Sequence, residues 1–236
     1  MIVGRPSAAR GHVQAGWLDS RHTFSFGGYY DPQWMGFGPL RVVNEDRVAP
    51  GAGFPPHGHA NMEILSYVLA GALAHRDTAG GGGELRPGEL QWMSAGHGIQ
   101  HSEYNASDSE PVHFLQVWIQ PDRVNAAPAY AQRAFDPAAR RGRWTTLASP
   151  DGEDGSLAIR QQAWLRGALL GAGEAVAFAP DPARRYWLHV ARGRAVVDGR
   201  ALEAGDALGF VDEGATLALA GAGEDVADVL LFDLPA

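Results

Sequence analysis

The 236 residues are 45% hydrophobic, 19% charged and 9% aromatic, the make-up of an ordinary globular chain long enough to bury a sizeable core. Nineteen basic against 27 acidic residues leave a net charge of −8, which disfavours direct binding to a nucleic-acid backbone or to an anionic membrane surface. Every basic residue is Arg and Cys is absent, which excludes Schiff-base and P-loop lysine chemistry, thiol nucleophiles, disulfides, iron–sulfur clusters and Cys-ligated zinc.

Met1 to Trp17 carry Arg5, Arg10 and His12 without the apolar run of a signal peptide. No later stretch approaches the ~18 apolar residues of a membrane span, so the expected location is the cytoplasm, with no membrane partner. His22 is followed by Phe24, Phe26, Tyr29, Tyr30 and Trp34, a segment that could wall an apolar cavity, with Phe24 and Phe26 as its lining. From Phe37 onward short apolar runs at 40–43, 64–69, 90–93 and 112–119 read as strands. Between them lie turn-forming clusters such as Pro50-Gly51-Ala52-Gly53 and Pro87-Gly88-Glu89. The Gly80 to Gly83 run, with no Gly-Lys-Ser/Thr after it, reads as a hairpin tip. The expected class is all-β.

Two segments carry the chemistry. His57-Gly58-His59 precedes a strand, and i, i+2 spacing on extended chain projects both imidazoles from one face. His101-Ser102-Glu103 repeats the spacing with an imidazole and a carboxylate. Pairing of the two strands inside a barrel would gather three nitrogens and one oxygen around a point. Such a set suits one divalent ion, with Fe(II) favoured and Mn, Ni, Cu or Zn possible, and leaves a coordination position open for catalysis. Glu63 shares parity with 57 and 59 and could serve as an extra ligand or orient an imidazole. His97, between two glycines, could line the pocket. His75 and His113 read as hydrogen-bonded core or surface residues.

Residues 126–143, with Pro128, Pro137 and the cluster Arg140, Arg141 and Arg143, read as a linker with a short helical turn, separating a metal-binding domain (1–125) from a second domain (144–236). The second half faintly repeats the first. Val68-Leu69-Ala70-Gly71 then Leu85-Arg86-Pro87-Gly88-Glu89 is echoed by Val190-Ala191-Arg192-Gly193 then Leu202-Glu203-Ala204-Gly205-Asp206. Eight of the nine His precede the linker and only His189 follows it, so the second copy lacks the donor set.

Gly51-x5-His57-x-His59-x3-Glu63-x7-Gly71 and Gly88-x5-Ser94-Ala95-Gly96-His97-Gly98-x2-His101-x3-Asn105 resemble the two signature motifs of the cupin superfamily. They depart from it by one extra residue before Gly71, by Ser at 94 in place of Pro, and by two extra residues before His101. In these departures, and in Gly16-Trp17-Leu18-Asp19-Ser20, His22-Thr23-Phe24-Ser25-Phe26, Met35-Gly36-Phe37-Gly38 and the block Ser94 to Glu103, the chain resembles the pirin family. The resemblance implies two tandem cupin barrels, one metal in the first held by His57, His59, His101 and Glu103, and a second barrel without ligands. It further implies a dioxygenase that opens the ring of flavonols such as quercetin with O2, the partners then being a small aromatic substrate and oxygen and Glu103 a proton acceptor. The alternative it carries is a metal-bearing, redox-sensing regulator that acts through a protein partner without turnover.

Overall fold

The structure is a computed structural model and describes all 236 residues. Its first strands are β1 (Ile2–Arg5), β2 (Gly11–Gln14), β3 (Leu18–His22), β4 (Leu40–Val48), β5 (Gly53–His59), β6 (Glu63–Ala70), β7 (Leu73–Asp77), β8 (Gly82–Leu85), β9 (Glu89–Ser94), β10 (Ile99–Asn105), β11 (Val112–Ile119) and β12 (Ala129–Ala134). A one-turn helix, α1 (Pro137–Arg140), follows, capped by Asp136, whose carboxylate accepts from the Ala138 N–H. Then come β13 (Thr145–Ser149), β14 (Leu157–Ala158), β15 (Trp164–Leu170), β16 (Ala175–Phe178), β17 (Arg184–Arg192), β18 (Arg194–Val197), β19 (Arg200–Glu203), β20 (Ala207–Val211), β21 (Leu217–Ala222) and β22 (Ala227–Pro235).

One compact unit comprises Gly11–Ala134 with Ile159–Gln161, and the other Met1–Arg10, Phe135–Ala158 and Gln162–Ala236. In the first, a seven-stranded sheet (β12-β9-β6-β11-β4-β3-β2) is accompanied by a four-stranded one (β5-β10-β7-β8). In the second, the orders are β1-β20-β17-β22-β15-β13-β14 and β16-β21-β18-β19. Adding eleven to the strand numbers of β9-β6-β11-β4 and β5-β10-β7-β8 generates the second pattern, so the faint sequence repeat is a repeat of topology.

The boundaries differ from those read in the sequence. The stretch expected as a linker from 126 opens with β12, which pairs antiparallel with β9. At the same place in the second unit, β1 pairs with β20, from Ile2↔Phe210 to Arg5↔Ala207. β12 thus covers the edge of β9 and β1 that of β20, in each case pairing N–H and C=O groups that would otherwise be exposed.

The two repeats turn at the same glycines. Gly71 (φ +74°) follows β6 and Gly193 (φ +68°) follows β17, while Gly88 (φ +90°) and Gly205 (φ +87°) precede β9 and β20. At Gly71 a Cβ would lie 2.6 Å from the Pro111 carbonyl oxygen, and at Gly193 2.8 Å from that of Val226. Positive φ and contact with a neighbouring backbone both exclude a side chain there. Gly71→Ala is therefore expected to destabilise the protein by roughly 2 kcal/mol or more, read as a lowered midpoint in chemical denaturation with an unchanged far-UV spectrum.

Candidate metal centre

The site lies in the first unit and begins with one strand pair. β5 and β10 run antiparallel with His101 directly opposite His57 and Ile99 opposite His59. The register slips between His101 and Glu103, because Glu103 faces Phe54 and the β5 chain carries extra length through Pro55 and Pro56. Proline has no N–H to give to a ladder, so a bulge there sacrifices little pairing. On the other side of β10, β7 sets Asp77 opposite His101 and His75 opposite Glu103. Alternation along β10 then turns Ile99, His101, Glu103 and Asn105 inward, all four buried.

The rings of His57, His59 and His101 have centroids 4.5–4.8 Å apart. Each offers a nitrogen within 4.8 Å of the others. His57 Nδ1 lies 2.8 Å from the Pro55 carbonyl oxygen, an acceptor only, so Nδ1 carries the proton and Nε2 the lone pair. The Nε2 atoms of His59 and His101 are buried and meet no hydrogen-bond partner in the protein. An orphaned buried polar atom costs about 1–3 kcal/mol, and a divalent ion among these three lone pairs would satisfy it. Burial first, and then the neighbouring imidazoles, depress His59 to about 4 and His101 to about 3, so both are neutral near pH 7 and free to donate to a cation.

Glu103 is placed by neutral donors. Ser66 Oγ donates to its Oε1 at 2.9 Å and Gln116 Nε2 to its Oε2 at 2.6 Å. Both belong to a polar row that crosses the seven-stranded sheet in register: Gln91↔Ser66, Ser66↔Gln116, Gln116↔Asn44 and Asn44↔His22. Apolar layers flank the row, with Ile64, Met93, Ala95 and Ile99 on one side and Val48, Val68, Leu73, Leu85, Val112 and Phe114 on the other. Over His59, the Trp118 ring stands edge-on at 4.8 Å, and Phe26 stands edge-on to Trp118 at 5.2 Å. A surface cleft of about 530 Å³ has His59 in its wall with Gly58, Ala60, Thr78, Gly98, Ile99 and Gln100.

The other residues singled out in the sequence lie elsewhere. The parity that linked Glu63 to the histidines fails because β5 ends at His59 and β6, in the other sheet, begins at Glu63. Glu63 accepts instead from Trp92 Nε1 (2.7 Å), Ser94 Oγ (2.5 Å) and the Arg160 N–H (2.9 Å), fastening residues 159–161 to the barrel. His97 is exposed in its turn, held through its backbone N–H to the Ala126 carbonyl, so it does not line the site. Phe24 is a fully buried core residue against Trp34, and only Phe26 of the pair reaches the aromatic wall.

His75, read in the sequence as an ordinary satisfied histidine, is buried next to the site. Its Nε2 is 3.1 Å from Asp77 Oδ2 and its Nδ1 3.4 Å from His101 Nδ1 and 3.3 Å from Gln91 Nε2. The signal was an inward His-x-Asp pair on a strand, together with single polar residues, Ser66, Gln91 and Gln116, interrupting apolar runs.

Two barrels of one strand order, with His57, His59 and His101 converging in the first, define a two-domain cupin. Residues 5–119 match the family described as Pirin, and residues 146–234 match the quercetinase C-terminal cupin domain. A quercetin 2,3-dioxygenase of Escherichia coli strain K12 is 46% identical over 237 residues, which cover all of this chain and 99% of that protein. A pirin-like protein of Caulobacter vibrioides is 42% identical, over 90% of this chain and 92% of its own. Among solved structures, YhhW from Escherichia coli superposes with a TM-score of 0.94 at 42% identity, covering 100% of this chain and 98% of its own. The same bacterial pirin in complex with nickel(II) gives 0.92 at 42% identity, with 100% and 99% coverage. The chain belongs to the pirin family.

Asp46, on the inward face of β4, is buried and accepts from Ser20 Oγ. Burial chiefly, then the charges of Glu103 and Glu45, raise it from 3.8 to about 7, against the opposing Ser20 hydrogen bond. The folded protein thus holds a proton there that the unfolded chain releases above pH 3.8, and stability falls as pH rises from about 4 to 7. That slope is at most about 1.4 kcal/mol per pH unit. Asp46→Asn, which keeps an acceptor for Ser20, is expected to flatten it and to be more stable than the parent at pH 8, as measured by denaturation at several pH values.

Proposed function

We propose that this chain is a metal-dependent dioxygenase that opens the ring of flavonols such as quercetin with O2 and releases carbon monoxide. The observation that carries the reading is the convergence of three imidazoles, two of them with buried, unpartnered Nε2 atoms, beside an aromatic wall and a cleft that reaches His59. Relatives named quercetin 2,3-dioxygenase, similar over the full length, support it. His57, His59, His101 and Glu103 would hold the ion, which supplies Lewis acidity to the hydroxy-ketone edge of the substrate and lowers the pKa of its hydroxyl. Glu103, kept in place by Ser66 and Gln116, would accept that proton on a carboxylate oxygen. Trp118 and Phe26 would orient the flat rings and exclude water from the reacting edge. The donors suit several divalent ions, with Fe(II) the first to test, and the nickel(II) complex of the 42% identical bacterial pirin makes nickel the second.

Three arginines on which a basic patch for the regulatory alternative would draw are already engaged with carboxylates. Arg140 is buried on Asp228 at 2.7 Å, Arg141 pairs with Glu174 at 2.7 Å, and Arg184 pairs with Asp233. Protein reconstituted separately with Fe(II), Mn(II), Ni(II), Cu(II) and Zn(II) is expected to bleach the flavonol band aerobically, with carbon monoxide release, for at least one ion. His101→Ala should lower that rate by more than about 100-fold. Stoichiometric metal without turnover by any of the ions would remove quercetin as substrate.

A further inference from the structure

We propose that His75 is a positioning residue: held by Asp77, it fixes His101 as the tautomer protonated on Nδ1 and so aims the Nε2 lone pair at the metal centre. Asp77 anchors the relay. Its Oδ1 accepts the Ala79 and Gly81 N–H groups at 2.8 and 2.9 Å, and its Oδ2 faces His75 Nε2 at 3.1 Å. Burial alone would raise this carboxyl, but those hydrogen bonds, from His75 and the two backbone amides, outweigh it and keep the group below its ordinary range.

The carboxylate accepts from His75 Nε2, which therefore carries a proton, and the Gln91 amide nitrogen, which only donates, marks His75 Nδ1 as the side with the lone pair. Two groups face that lone pair: Gln91 Nε2 at 3.3 Å and His101 Nδ1 at 3.4 Å. The Tyr130 hydroxyl lies 3.1 Å from Gln132 Oε1 and 3.3 Å from Gln91 Oε1 and has one proton to share between them. The Tyr130 ring, stacked on His75 at 5.0 Å and 17°, closes the other side. His101 therefore donates from Nδ1, and the lone pair on its buried Nε2 points toward His57 and His59. Histidine ligands are commonly held this way by an acceptor behind them, and here the acceptor is itself a histidine backed by a carboxylate. Cross-strand register builds the relay, since β7 and β10 set Asp77 opposite His101 and His75 opposite Glu103.

The proposal rests on the metal-centre reading for its consequence but not for its test. Long-range 1H–15N spectra of metal-free protein with 15N-labelled histidine, at pH 7.5, should show His101 protonated at Nδ1. Protonation at Nε2 would overturn the proposal whether or not the protein binds metal. Nickel(II) titration by calorimetry supplies the second arm, and wild-type protein that bound no nickel would count against the metal centre while leaving the tautomer result to decide on His75.

Asp77→Asn can keep both backbone hydrogen bonds through Oδ1 while presenting an NH2 group to His75, which reverses the His75 tautomer and leaves His101 Nδ1 without an acceptor. Asp77→Asn and His75→Leu should each weaken nickel binding about 10- to 100-fold, and His75→Gln, whose amide oxygen can accept from His101, should recover part of the loss. Unchanged affinity in Asp77→Asn, with native circular dichroism, would overturn the proposal.

Discussion

The centre depends on one strand pairing. With β5 against β10, His57 stands opposite His101 and His59 one pleat further along, so three imidazoles converge with no loop needed to bring them together. A slip of one residue would turn His101 and Glu103 to the opposite face at once. The register is held on both sides of β10: β7 continues the ladder, and on β5 the Pro55–Pro56 bulge absorbs the extra residue. That bulge also frees the Pro55 carbonyl to take the Nδ1 proton of His57. A feature that interrupts the sheet thereby orients a donor.

Polar groups inside a barrel are costly unless paired, and the first unit pairs them in a single layer. Ser66, Gln91 and Gln116 come from neighbouring strands at one level of the sheet, and each makes a hydrogen bond to Glu103 or His75. The second barrel shows the same frame without this layer. There Leu219 and Val197 each align, in register, with the places of Glu103 and His75, for both pairs stand on the equivalent strands β21–β18 and β10–β7. Leu219, Val197, Leu217, Phe210 and Leu231 pack into one apolar cluster. One topology therefore supports a polar, ligand-bearing interior and an ordinary hydrophobic one, and the difference lies in a few inward positions.

Those positions were unequally legible. The convergence of His57, His59 and His101 could be read because i, i+2 spacing on a strand is a local property, whereas Glu103 falls in a group with His75 and His101; the repeated glycines Gly71, Gly88, Gly193 and Gly205 announced the second barrel because positive φ is also local. Glu63 misled because parity holds only within an unbroken strand, and residues 60–62 carry the chain from one sheet to the other. His75 was passed over because, apart from Asp77 on its own strand, its partners Gln91, His101 and Tyr130 come from three other strands and share no spacing with it. The placement of β1 beside β20 rests on a contact between residues some two hundred positions apart, which no window of sequence displays.

The charge balance of the interior points to what it accommodates. Glu103 is buried and its two oxygens accept from Ser66 and Gln116, both neutral donors. Asp46 is buried within reach of its field and holds its proton up to about 7 partly for that reason. His59 and His101 are pushed toward the neutral form and lend no compensating charge. A buried carboxylate with only neutral donors is poorly compensated in a low-dielectric interior, and the lone pairs of His57, His59 and His101, the last of them grouped with Glu103, attract the same kind of guest. A divalent cation answers both demands: it offsets the carboxylate and fills the orphaned nitrogens. Protonating the histidines would offset the carboxylate while consuming those lone pairs. The interior is thus built for a metal ion in preference to protons, and the depressed histidines keep that preference through the neutral pH range.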